Sequence, residues 1–236
     1  MAEVAAQRAV EAHFARYRVQ QQLVSNPGLA TTIQEAFTKY QDGSHQLNER
    51  SLRNALLDLF IKDGLAICLP NRQTCKQLMR YHDDERFPTL NPLLVGSLPG
   101  AEEIKDRQIR YLTAQQFAEL VVDVVMPAAQ AWRKTDVNGD QQLELGEIRQ
   151  LLHSMNVVPQ TDVTTVERIM TCYDLDDSGY IDFDEFILMV MDIKLLRSYF
   201  DHIYSQSPVS STPQAIAMTF HQLMQVAYSI RRRDQR

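Results

Sequence analysis

The sequence of 236 residues has little of what loop-rich folds need, with 8 Gly and 9 Pro. The many short turns of an all-β sandwich would normally require more of both, so we expect helices. Its 3 cysteines, Cys68, Cys75 and Cys172, include no CxxC pair, and such an odd set is typical of a reducing compartment in which thiols stay free. No segment reaches the roughly 18 uninterrupted apolar residues of a membrane span.

Signals for export and for nucleic-acid binding are also missing. The start carries no basic region followed by an apolar run, and residue 2 is Ala2 rather than the glycine that N-myristoylation requires. A net charge of −6 argues against a chain that binds nucleic acid through phosphate contacts. We therefore expect a cytoplasmic protein without a transmembrane segment, for which a cytoskeletal or ciliary association stays open.

One apolar pattern recurs along the chain. Leu52, Ala55, Leu56 and Leu59 follow the i, i+3, i+4, i+7 spacing of a core-facing helix. The same spacing begins again at Phe117, Ile148, Phe186 and Phe220. Recurrence of helix, polar loop and helix predicts an all-α fold built from copies of one supersecondary unit. Upstream, the segment 26–28 (Asn-Pro-Gly) predicts a helix end, and a second helix is expected to begin after Thr32.

The loop at residues 174–185, which we call the fourth loop, carries oxygen-bearing groups at regular places. These are Asp174, Asp176, Ser178, the backbone carbonyl of Tyr180, Asp182 and Glu185. Such a set, ending in a carboxylate that can bind through both oxygens, is what a hard, roughly seven-coordinate Ca²⁺ requires. Gly179 stands at the sharp turn, where a positive φ is needed.

The loop at residues 136–147, the third loop, repeats the pattern with one departure. Its expected ligands are Asp136, Asn138, Asp140, the carbonyl of Gln142, Glu144 and Glu147. Gln141 occupies the place of the glycine, so a residue with a side chain must adopt the left-handed conformation, at a cost of about 1 kcal/mol. We expect this loop to bind Ca²⁺ more weakly than it would with glycine there.

On these two loops the chain resembles the EF-hand superfamily of calcium-binding proteins. The resemblance implies about two bound Ca²⁺, the twelve metal ligands named above and no catalytic residues. It also implies short β-bridges between paired loops, here through Leu143 and Ile181. No GxSxG, P-loop or HExxH motif is present, so we do not expect an enzyme.

Two further loops keep the pattern without the ligands. The first loop runs from Tyr40 to Ser51, which replaces the final carboxylate, and the second loop has Gln116 in that place. We expect neither to bind calcium. The spacing of the units resembles penta-EF-hand proteins, which implies a homodimer through a fifth unit as one arrangement. We therefore predict four segments. An N-terminal helical extension at 1–28 precedes a degenerate pair at 29–126, which carries an insertion at about 84–110. A calcium-binding pair at 127–195 is followed by a C-terminal helical segment at 196–236, which is a candidate degenerate fifth unit.

Two functions remain open from the sequence. The first is a calcium-responsive protein that presents an apolar groove to a protein partner, since methionines such as Met189 and Met191 suit an adaptable groove. The same residues also fit an ordinary core. The second is a constitutive structural or regulatory subunit of a larger assembly, either cytoskeletal, ciliary or enzymatic, in which Ca²⁺ is mainly structural.

Overall fold

The computed structural model describes residues 16–62, 68–79, 111–155 and 163–193. The first part of the N-terminal extension, the insertion at about 84–110 and the candidate fifth unit at 196–236 lie outside the described residues. The described residues up to Pro127 form one compact unit, and those from Ala128 onward form a second.

The described chain is helical, and its β structure consists of isolated bridges. In chain order the helices are α1 (residues 16–25), α2 (Pro27–Tyr40), α3 (Glu49–Lys62), α4 (Arg72–Met79), α5 (Ala114–Leu120), α6 (Met126–Thr135), α7 (Leu145–Ser154), α8 (Val163–Tyr173) and α9 (residues 183–193). The predicted all-α fold is confirmed. None of the described helices is both long and apolar enough to cross a membrane.

The start of α2 corrects the prediction that this helix begins after Thr32. The side chain of Asn26 accepts a hydrogen bond from the N–H of Leu29 at 3.1 Å, and Pro27 occupies the first helical turn. Asn is a favoured N-cap, and proline fits the first turn because its missing N–H would have no partner there. The Asn-Pro-Gly segment therefore begins a helix here, and Thr32 lies inside it.

A π-helical turn at Val121–Val125 joins α5 to α6. The N–H of Met126 donates to the carbonyl of Val121, five residues earlier. Pro127 follows directly, and a proline ring clashes with the carbonyl four residues before it in a regular α-helix. The wider π turn gives that ring space, so residues 114–135 stay helical through the proline.

The first unit has its core between α2, α3 and α5. The predicted apolar residues of α3, from Leu52 to Leu59, are at most 1% exposed. Phe37 of α2 lies 6.0 Å from Phe117 of α5 between ring centroids. Opposite the core, Lys39 pairs with Asp58 at 2.6 Å, which ties the surfaces of α2 and α3 together.

The second unit is built around Trp132, which is 1% exposed. Its ring meets Phe183 and Phe186 edge-on, with centroids 5.5 and 5.2 Å away. Edge-to-face pairs of this kind add about 0.5–1.5 kcal/mol beyond burial of their area. These contacts hold α6 against the start of α9 and thereby fix the helices on either side of the two acidic loops.

Candidate metal centre

The fourth loop gathers three carboxylates at one point. Asp174, Asp176 and Glu185 each offer an oxygen, and these oxygens all lie within 4.8 Å of one another. Like charges this close repel each other unless a cation or a proton compensates them. Oxygen donors of this type are the ligands that calcium prefers, so the arrangement fits a hard divalent cation.

Glu185 is the most constrained of these residues. Its side chain belongs to the first turn of α9 and the residue is 5% exposed. Oε1 accepts the N–H of Leu175 at 2.5 Å, and Oε2 accepts the N–H of Asp182 at 3.0 Å. Burial raises the pKa of Glu185 to about 7. The carboxylate is thus turned back onto the loop, with both oxygens held by its backbone.

The beginning of the fourth loop is ordered by its own side chains. Asp174 accepts the N–H of Ser178 at 2.9 Å and that of Gly179 at 2.8 Å. A hydrogen bond from the side chain of Ser178 lowers the pKa of Asp176. The φ of Gly179 is +84°, as the sharp turn requires. The hydroxyl of Ser178 also donates to the carbonyl of Tyr180 at 3.3 Å.

The end of the third loop repeats this geometry. Glu147 accepts the N–H of Val137 at 3.0 Å through Oε1 and that of Glu144 at 3.1 Å through Oε2. Glu144 in turn caps α7, and together the two residues form a capping box. The last carboxylate of each acidic loop therefore contacts its second and ninth places in the same way.

The other predicted ligands of the third loop bind the backbone of its turn. Asp136 accepts the N–H groups of Gly139 at 2.8 Å and of Gln141 at 3.2 Å. Asn138 and Asp140 are joined by a side-chain hydrogen bond of 2.9 Å, and the N–H of Gln142 donates to Asp140 at 2.9 Å. These hydrogen bonds order the turn of the third loop, whereas the carboxylates that lie within 4.8 Å of one another are those of the fourth loop.

Gln141 adopts the left-handed conformation expected of it, with a φ of +66°. The first loop has a counterpart that sequence reasoning missed, since His45 stands at the same place with a φ of +59°. The alignment of the loops was the available signal, because it assigns both residues to the sixth place. Without glycine, each turn carries a conformational cost on the order of 1 kcal/mol.

Both pairs of loops are joined by an antiparallel bridge. The expected bridge between Leu143 and Ile181 is confirmed, with reciprocal N–H···O distances of 2.9 and 3.1 Å. Leu47 and Leu112 form the same bridge between the first and second loops, at 2.9 and 2.7 Å. The ligand-poor pair has therefore kept the pairing of the acidic pair.

Each of the two ligand-poor loops is ordered by hydrogen bonds within the loop itself. Oδ1 of Asp42 accepts the N–H of Ser44 at 2.9 Å and its hydroxyl at 2.7 Å. In the second loop, Oε1 of Gln116 accepts the N–H of Thr113 at 3.0 Å, while Thr113 caps α5. Gln116 thus reproduces the contact that Glu185 makes with the ninth place, using a neutral side chain.

The cysteines take no part in this centre. Cys68, Cys75 and Cys172 are buried, as expected. The sulfur of Cys75 lies 3.8 Å from the carbonyl of Pro70.

Three comparisons with known proteins found similar families, sequences or structures. Residues 127–191 match the family model described as an EF-hand domain pair. Polcalcin Cyn d 7 of Cynodon dactylon is 38% identical over 56 residues, which span 24% of this chain and 66% of that protein. A solved structure, a homolog of programmed cell death 6 protein from Leishmania major Friedlin, is 17% identical with a TM-score of 0.45, covering 79% of this chain and 84% of that one. With its acidic loops, its bridged pair and this family match, the chain is an EF-hand calcium-binding protein.

Proposed function

We propose that this protein is a calcium-regulated interaction protein, in which the third and fourth loops bind about two Ca²⁺ and transmit binding to a protein partner. One observation carries the proposal. In each loop the final glutamate belongs to the helix that leaves the loop, yet its carboxylate is bound to the loop backbone. A change in the charge at the loop therefore acts on the position of that helix.

The residues that would hold the ions are those of the two loops. In the third loop they are Asp136, Asn138, Asp140, Gln142, Glu144 and Glu147; in the fourth they are Asp174, Asp176, Ser178, Tyr180, Asp182 and Glu185. Calcium would supply two positive charges that offset the repulsion among these carboxylates. The side chains would orient one another through the hydrogen bonds described above.

The response of the fourth unit would pass through α9. Glu185 lies in the first turn of this helix, and Asp192, about two turns later, accepts a 2.6 Å hydrogen bond from the hydroxyl of Tyr173 on α8. A pull on the Glu185 carboxylate would therefore change the angle between α8 and α9. Met189 and Met191, which are 0% and 9% exposed, would then be available to a partner, and flexible methionines suit an adaptable surface.

A second candidate is a constitutive subunit in which Ca²⁺ mainly stabilises the fold. The complete burial of α9 favours it, because the apolar residues from Phe186 to Ile193 are at most 9% exposed. A helix that stays buried on every side has no groove to present. Calcium would then add stability to the pair without changing its surface.

A calcium titration with an apolar fluorescent dye separates the two functions. The sensor predicts that dye fluorescence and amide exchange in α9 both rise as Ca²⁺ saturates the loops. The structural role predicts tight binding and a higher melting temperature with no new dye binding. The double variant Glu147→Gln/Glu185→Gln is the control, since it should abolish either response. Saturation at micromolar Ca²⁺ without dye binding would overturn the sensor proposal.

The remaining organisation is proposed on the sequence resemblance. We propose that the protein is cytoplasmic and has no catalytic activity. We also propose that its ligand-poor unit anchors a partner or stabilises the fold. Dimerisation through the candidate fifth unit at 196–236 is tested by sedimentation with and without Ca²⁺. A single monomeric species under both conditions would contradict it.

A further inference from the structure

The first unit contains an open groove lined with positive charge, which we call the basic groove. One part, of about 720 Å³, is lined by Arg50, Arg53, Asn54, Asn71 and Arg72. An adjoining part, of about 480 Å³, shares Arg72 and is lined in addition by Glu49, Gln73, Lys76 and Gln77. Together they form one elongated surface along the first turns of α3 and α4.

The charges of the basic groove are not balanced by the described residues around it. Four cations face a single acid, Glu49, which is already bound to Nη2 of Arg72 at 2.6 Å. Arg50 and Lys76 form no ion pair with any residue that the structure describes. Arg53 is oriented by a 3.2 Å hydrogen bond from Nε to the carbonyl of Pro70.

This imbalance is local rather than general. Elsewhere in the first unit, Lys39 pairs with Asp58 at 2.6 Å and Lys62 pairs with Glu35 at 2.8 Å. In the basic groove only Arg72 is paired among the described residues, while Arg50, Arg53 and Lys76 have no ion pair with them. Unmatched charge collected on one concave surface favours a partner of opposite charge.

Two helix ends add to the positive potential. Asn48 accepts the N–H of Ser51 at 3.0 Å to cap α3, and Asn71 accepts the N–H of Thr74 at 2.9 Å to cap α4. The first turns of both helices line the groove, so the positive ends of both dipoles lie beside the same arginines. Guanidinium groups in such a setting bind carboxylates with two parallel hydrogen bonds.

We infer that the basic groove docks an acidic segment of a partner protein. Its length along two helices suits several carboxylates on an extended chain rather than one compact anion. Among the described residues, its lining contains no aromatic side chain on which nucleic-acid bases would stack. Because the cations line a concave surface, a flat membrane would reach them less well than a peptide. Docking of this segment would not require metal bound at the acidic loops.

The test uses the full chain in a calcium chelator, with a fluorescein-labelled oligoglutamate peptide as the probe and fluorescence anisotropy as the readout. Arg50→Glu is the test variant because this exposed side chain has no ion pair with the described residues. Arg18→Glu on α1 is the matched control, since it is also exposed and changes the net charge equally. Circular dichroism of both variants should match the wild type.

We expect the wild type to bind the peptide and to lose affinity as salt rises. Arg50→Glu should weaken binding about tenfold, and Arg18→Glu less than about twofold. Equal losses in the two variants, or no wild-type binding at low salt, would overturn the inference. An oligothymidylate of equal charge that binds as tightly as the peptide, with the same loss in Arg50→Glu, would overturn the choice of partner. Since calcium is absent throughout, these results are separate from those that test the metal centre.

Discussion

Glu185→Gln is the most direct test of the candidate metal centre, because the change preserves shape and removes a charge. The wild-type carboxylate accepts N–H groups from Leu175 at 2.5 Å and Asp182 at 3.0 Å. Glutamine retains one acceptor oxygen, so one of these hydrogen bonds is lost, at about 1 kcal/mol. Burial disfavours the charged carboxylate, as its raised pKa indicates, so a neutral side chain regains part of that cost. We therefore expect the variant to fold.

Gln116 supports this expectation from within the same chain. It occupies the corresponding place of the second loop, where its Oε1 accepts the N–H of Thr113 at 3.0 Å and the helix begins normally. Calcium affinity should respond very differently. Loss of an anionic, two-oxygen ligand should weaken the fourth loop about a hundredfold, or about 2.8 kcal/mol.

Isothermal titration calorimetry of chelator-treated protein measures the outcome. The wild type should titrate about two ions, and Glu185→Gln should titrate one fewer in the same concentration range. Glu147→Gln should do the same for the third loop. Glu167→Gln removes an exposed carboxylate of α8 and should change neither the number of ions nor their affinity. If Glu185→Gln still binds as many ions as the wild type, with equal affinity, the assignment of the fourth loop is wrong.

Three further changes test other parts of the structure. Gln141→Gly removes the conformational strain at a residue whose φ is +66°. The variant should therefore bind calcium more tightly at the third loop, or unfold less readily, by up to about 1 kcal/mol. Gly179→Gln should have the opposite effect in the fourth loop. Calorimetry with urea unfolding measures both effects, and a weaker, less stable Gln141→Gly would contradict the reasoning. Tyr173→Phe removes a 2.6 Å hydrogen bond to a carboxylate of α9 and should lower the free energy of unfolding by about 1.5–3 kcal/mol in urea; an unchanged midpoint would show that the bond contributes nothing. A hydrogen bond from the side chain of Ser44 lowers the pKa of Asp42, so the ionised form stabilises the first loop above about pH 4, and this contribution is lost as the pH falls through the lowered pKa. In chelator, Asp42→Asn should therefore unfold at less urea than the wild type at neutral pH, and the gap should close as the pH falls through the lowered pKa of Asp42. A gap that stays equal across this range would refute the assignment.

The acidic loops were predictable because their information is local. A calcium-binding loop is one continuous segment, so the places of its oxygens and of its sharp turn can be counted directly along the chain. The same count assigned a left-handed conformation to Gln141, and the resemblance to the EF-hand family implied the bridge between Leu143 and Ile181; the structure has both. The apolar face of α3 was equally visible, since a helical period fixes it without tertiary information.

Other features were less predictable because one local signal fits two structures. Asn-Pro-Gly at residues 26–28 was predicted to end a helix, and α1 does end at residue 25, but the same segment also begins α2, as the hydrogen bond from the N–H of Leu29 to Asn26 shows. Pro127 was similarly ambiguous, since the π turn that accommodates it depends on the packing of a valine-rich segment. The basic groove had no local signal at all, because α3 and α4 bring its cations together from separate segments.

The ligand-poor loops separate what the fold needs from what the ion needs. The first and second loops have lost the final carboxylate, but they retain the bridge between Leu47 and Leu112 and a capped helix after each loop. Neutral groups make these contacts as well as charged ones do, because the bonds run to backbone N–H groups. What the fourth loop adds is a set of three carboxylates whose oxygens lie within 4.8 Å of one another and repel unless a cation or a proton compensates them. The bridge and the helix caps are thus made with and without these carboxylates, so the fold of a loop pair does not require them.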